Sequence, residues 1–180
     1  MCDHCDLDES LEQFYERVVR PQIDSFGWFI QYVYGEGNAA PYAYTIGLTE
    51  HGYPELIATG VTVPEAASLL NAGGDLLHHR QLLHGERVTV AGRRVKVVGL
   101  PHPEAHLLFA GDVYGPALRA VQLVHADDSG VWPWSRTYRG GAGGQPVLGP
   151  RAVRTRKGRT SLLDLPRPTE QDVAHDRPSA

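Results

Sequence analysis

The sequence predicts a single α+β domain, a mainly antiparallel sheet with two or three helices packed on it. Three observations carry that expectation. Apolar periodicity switches between helical and strand spacing in the order α, β, β, β, α, β, β, α, β, without the strict alternation of a doubly wound parallel sheet. Short turn sequences join neighbouring strand segments, as hairpins require. A chain of 180 residues with 42% hydrophobic composition is long enough to bury one core.

The elements follow in order. Ser10 and Gln13 have capping-box spacing, and Leu11, Phe14, Val18 and Phe26 recur near helical spacing, so residues 10–25 read as an amphipathic helix that Pro21 should kink or split. Gly27 ends it, and Trp28 to Tyr34 has the aromatic and branched residues of a strand. The turn residues 35–41 lead into a second strand, Tyr42 to Leu48, and Leu56 to Thr59 is a third. Thr62 and Glu65 repeat the capping box, Pro64 suits a first helical turn, and Leu69, Leu70, Leu76, Leu77 and Leu83 form the stripe of the main helix, with a break expected at Gly73-Gly74. Residues 87–90 and 94–98 alternate around Ala91-Gly92-Arg93 as a hairpin. Pro103 opens a short helix to about Phe109, and Leu118 to Val124 is the last strand.

Three segments are expected: a cysteine-containing N-terminus over 1–9, the domain over 10–148, and a basic, polar tail over 149–180. The glycine run 140–144 reads as a linker, and the tail is too poor in apolar residues to offset chain entropy, so it is expected to be disordered. No stretch approaches the roughly 20 apolar residues of a spanning helix, and the start has no basic or apolar signal region, so a cytoplasmic chain with reduced thiols and no membrane partner is expected. The 17 basic against 21 acidic residues give a net charge of −4, which offers no global case for nucleic acid. The local cluster Arg151, Arg154, Arg156, Lys157 and Arg159 has no interleaved aromatic to stack bases, and acids follow it, so it reads as a solvating tail.

Four groups of residues bear on function. Cys2 and Cys5 have the spacing that lets two thiolates share one zinc, and His78, His79 and His84 are the nearest supply of further ligands; frayed thiols and histidines capping a helix end are the plainer reading. Tyr42, Tyr44 and Thr45, with His51 and Glu55 nearby, could line a small-molecule pocket closed by Trp132 and Trp134, or could be ordinary sheet packing. His102 and His106 lie four apart but lack the Glu of a zinc-protease motif. No phosphate-binding loop and no nucleophile elbow is present.

Gly27-Trp28-Phe29, Tyr42-Ala43-Tyr44-Thr45-Ile46-Gly47-Leu48 and Tyr53-Pro54-Glu55-Leu56-Ile57 resemble a bacterial family known as domain of unknown function 4262, and Met1-Cys2-Asp3-His4-Cys5-Asp6 is similar to the start of many actinobacterial members. The resemblance covers most of residues 1–148 and implies neither an activity nor catalytic residues. Three readings therefore stay open: a domain binding a small molecule or a protein, with a homodimer through a sheet edge or Trp132-Pro133-Trp134 as one form; an enzyme using the Tyr42, Tyr44, Thr45 and His51 pocket; and a zinc-stabilised interaction module.

Overall fold

In the computed structural model, which describes residues 10–150, the chain enters its first helix where the Ser10 and Gln13 spacing predicts. The Gln13 amide donates to Ser10 Oγ at 3.2 Å, and Gln13 Oε1 accepts from the Ser10 amide at 2.9 Å. Segment 1–9, with Cys2 and Cys5, and the tail from residue 151 lie outside the described residues.

Pro21 splits the helix in a specific way. Helix α1 (Leu11–Phe14) opens into a π-helical turn (Tyr15–Val19) before α2 (Arg20–Phe26) resumes with Pro21 in its first turn. Proline has no N–H to donate and its ring crowds the carbonyl four residues back, and the wider π turn accommodates both. Gly27 ends α2 in the left-handed region at φ 88°.

Six strands form one open sheet: β1 (Phe29–Val33), β2 (Tyr42–Ile46), β3 (Glu55–Thr59), β4 (Arg87–Val90), β5 (Arg93–Gly99) and β6 (Ala120–His125), in the order β1-β2-β3-β6-β5-β4. All pairings are antiparallel except β3 with β6, which run parallel at the centre. Both of those strands are buried on both sides, as parallel neighbours generally are.

Helix α3 (Val63–His79) covers one face, packing Leu69, Leu70 and Leu77 on Leu56, Ala58, Val97, Val121 and Leu123. It runs unbroken through Gly73-Gly74, where the sequence suggests a break. A methyl on Gly73 would meet Leu56 Cδ1 at 2.8 Å and Leu123 Cδ1 at 2.9 Å, and one on Gly74 would meet the Trp28 ring at 2.7 Å. The glycines are there for close helix-to-sheet approach, a tertiary demand that overrides their low helix propensity.

The opposite face carries Tyr44, Ile46, Ile57 and Ala120 under Phe14, Val19, Ile23, Leu107 and Ala110. Instead of one helix from Pro103 to Phe109, a 3-10 turn (Pro103–Ala105) precedes α4 (Leu108–Tyr114). After β6, the glycine run turns through positive φ at Gly140, Gly141, Gly143 and Gly144 and leads into a strap across the sheet. The buried Gln122 amide donates to Thr59 Oγ1 at 2.8 Å and to the Pro146 carbonyl at 2.7 Å, and the Leu148 amide donates back to Gln122 Oε1 at 2.8 Å.

Candidate functional site

The residues that carry the family resemblance converge on one buried carboxylate. Glu55, at the start of β3, is fully buried and accepts four hydrogen bonds: from Thr45 Oγ1 at 2.6 Å, the Gly47 amide at 3.1 Å, the Thr49 amide at 2.9 Å and Thr49 Oγ1 at 2.8 Å. Thr45 Oγ1 also accepts the Leu56 amide at 2.9 Å, which locks β2 to β3 beside the carboxylate. Burial pushes the Glu55 carboxyl above its ordinary range, against the pull of these donors. The side chain therefore works as a clamp on the turn between β2 and β3, closed off from solvent.

The clamp fixes a 3-10 turn (Leu48–His51) that presents Glu50 to one side of the sheet and His51 to the other. Glu50 is bound by Arg20 at 3.0 Å and accepts from Tyr114 Oη at 3.1 Å and Tyr15 Oη at 3.4 Å, tying the first helix and α4 to the turn. Burial, then the Glu55 and Glu50 charges, push the Tyr114 phenol well above its ordinary range, so it stays a donor. His51 is exposed with its ring 6.2 Å from that of His78, which also meets the rings of Tyr53 at 5.5 Å and Trp28 at 5.8 Å.

Tyr42 and Tyr44 lie on the α1, α2 and α4 face with rings stacked at 6.2 Å, and Tyr44 Oη accepts the Phe109 amide at 3.3 Å. Thr45 faces away from them, so strand alternation divides Tyr42 and Tyr44 from Thr45, and His51 joins His78 instead. Trp132 and Trp134 sit elsewhere, stacked at 5.1 Å with Arg87 5.6 Å over one ring and Lys96 5.3 Å over the other, on the β4–β5 hairpin at the far side of the sheet. His79 is exposed, and His84 accepts the Gly99 amide on Nδ1 at 3.0 Å, apart from His78 and His79. Among the described residues, no group of three or more His, Cys, Asp or Glu could hold a metal ion. No helix among them is long and apolar enough to cross a membrane.

The sheet's two edges differ. Strand β4 is short, begins with arginine, and has that Arg87 engaged with Trp132. Strand β1, Phe29-Ile30-Gln31-Tyr32-Val33, carries no charge and no proline, and pairs with β2 alone among the described strands. Exposed apolar residues flank it, Phe26 at 68% and Tyr34 at 56% of full exposure. Proteins ordinarily blunt such an edge with charge, proline or a bulge. Where β1 ends lies an open cleft of about 460 Å³ lined by Tyr32, Pro41, Val61, Glu65 and Arg139. Burial acts against Glu65, but donors from Thr62 and Arg93 bring its carboxyl down to about 2, so the cleft holds one fixed charge of each sign.

Two imidazoles make the fold sensitive to acid. His125, 1% exposed, has its Nε2 buried with no hydrogen-bond partner among the described residues, and Gln145 brackets its backbone. Burial pushes His125 below its ordinary 6.5, with Arg93 and Arg139 adding to it; burial and then Lys96 do the same for His84. The unfolded chain therefore takes up protons that the fold refuses once pH drops below 6.5. The imidazoles' contribution to stability is full above that value and declines below it, by at most about 1.4 kcal/mol per pH unit for each. Urea unfolding of wild type and His125→Asn at about pH 7.5 and 5.5 checks this. The stability difference between them should move against wild type on acidification, whereas Glu55, whose raised carboxyl gives a slope of opposite sign, contributes equally to both. A difference independent of pH would show that His125 titrates normally in the fold.

The model of a family described as Domain of unknown function (DUF4262) matches residues 22–139, from α2 through the whole sheet to the first residues of the strap turn. No curated protein and no solved structure matches the chain. Gly27-Trp28, Tyr44-Thr45-Ile46-Gly47-Leu48 and Pro54-Glu55-Leu56 all fall inside that match and build the Glu55 clamp and the root of β1, and the chain belongs to this family.

Proposed function

We propose that the chain is a non-catalytic protein-binding domain whose β1 edge receives an extended segment as a seventh strand. The observation that carries this reading is the uncharged, proline-free edge of β1 between exposed Phe26 and Tyr34. Strand addition draws affinity from backbone hydrogen bonds and specificity from pockets for alternate side chains. The cleft beside Tyr32, with Glu65 and Arg139, is placed to take a polar side chain of the added segment. The ionisable groups of the clamp support binding over catalysis: Glu55 is sealed and Glu50 is occupied by Arg20 and Tyr114.

Amide hydrogen exchange tests it. Extended peptides selected from a random library on the full chain should slow exchange at alternate residues of β1, the period-two mark of a newly paired strand. Peptides that bind while protecting α3 or α4, with β1 unchanged, would place the binding surface elsewhere and sink the reading.

A further inference from the structure

We infer that the strand received at β1 is β1 of a second copy of this chain, an inference that rests on the strand-addition reading above. The edge is self-complementary. Antiparallel pairing about a two-fold axis normal to the sheet at Gln31 sets Phe29 opposite the second copy's Val33, Ile30 opposite its Tyr32, and Gln31 opposite its Gln31. Each pair falls on one face, because Phe29 and Val33 belong to the α1, α2 and α4 side while Ile30 and Tyr32 belong to the α3 side. No like charges meet, since residues 29–33 have none.

The exposed apolar groups distinguish this occupant from others. Phe26 precedes the strand and Tyr34 follows it, at opposite ends, with 68% and 56% of their surfaces open. A two-fold antiparallel pair lays the start of one strand along the end of the other, so each copy supplies cover to both ends of its mate. One interface patch then meets itself, as an isologous dimer requires. The product is a continuous twelve-stranded sheet, twice the six strands of one copy, whose outer edges are the β4 strands, each beginning at Arg87.

Sedimentation equilibrium of the full chain tests the inference, with Gln31→Lys and Gln31→Glu made separately and then mixed. Wild type should dimerise. Each variant alone should dissociate at least about tenfold more readily, because identical charges then face each other across the axis. Mixed in equal amounts, the two should recover a heterodimer at wild-type affinity, which also shows that both variants fold. A wild type still monomeric at about 1 mM overturns the second-copy inference and leaves strand addition to the exchange experiment. Variants that both remain dimers, or that separate and do not recover on mixing, overturn pairing at Gln31.

Discussion

Glu55→Ala is expected to cost about 4 kcal/mol, a loss exceptional for a single substitution. The cost follows from what the carboxylate leaves behind. The Gly47 amide is buried and would lose its acceptor, as would the Thr49 amide and the Thr45 hydroxyl. A buried donor left unpaired costs about 1–3 kcal/mol. Alanine also leaves a void where the side chain was, at the root of β3. For a chain of this size the loss lowers the melting temperature by roughly 8–16 °C. Glu55→Gln keeps one carbonyl oxygen for the turn and should lose about half as much. Glu50→Gln should lose less than about 1 kcal/mol, because Glu50 is partly exposed and its bond to Arg20 is a surface ion pair. Calorimetry of the three variants checks the order. Glu55→Ala melting within a degree or two of wild type would mean that the turn is held by something other than the clamp.

Hydrophobic patterning made the fold class legible, because the hairpin alternation and the Leu stripe of α3 are local and repeat at fixed periods. Both capping boxes were legible for the same reason, since Ser10 with Gln13 and Thr62 with Glu65 are three apart. The parallel pairing of β3 with β6 was not, because it joins segments some sixty residues apart by way of α3 and the β4–β5 hairpin. The candidate site divides along the same line. Tyr44 and Thr45 stood out as polar residues in a strand with Glu55 nearby, but their roles depend on partners that only the register supplies: Phe109 for Tyr44 and the amides at 47 and 49 for Glu55. Tyr15, Arg20, Glu50 and Tyr114 gave no signal, because they come from four separate elements and have no motif spacing. Gln122 and His125 gave no signal, because the strap that satisfies the Gln122 side chain and brackets the His125 backbone lies about twenty residues on.

Gly47→Ala is expected to cost about 3 kcal/mol and to act on β1 as well as on the turn. Gly47 has φ 130° and ψ −32°, a backbone conformation that a side chain rarely adopts. An added methyl would stand 2.8 Å from the Gly27 carbonyl oxygen and 2.9 Å from Trp28 Cα, both backbone atoms that cannot swing aside as a side chain can. The two strains act together, because relieving the contact means moving the segment that enters β1. That motion separates Phe29 from Ile46, its register partner, and loosens the edge on which strand addition depends. Gly52→Ala is the matched control. Gly52 has φ 78° but nothing within 4 Å of an added methyl, so its cost should be that of a left-handed residue alone, about 1 kcal/mol. Urea unfolding gives the two costs, and amide exchange should quicken across 29–33 in Gly47→Ala and stay unchanged there in Gly52→Ala. Equal costs would show that the contact with Gly27 and Trp28 relaxes freely, and that the root of β1 is softer than its burial against β2 implies.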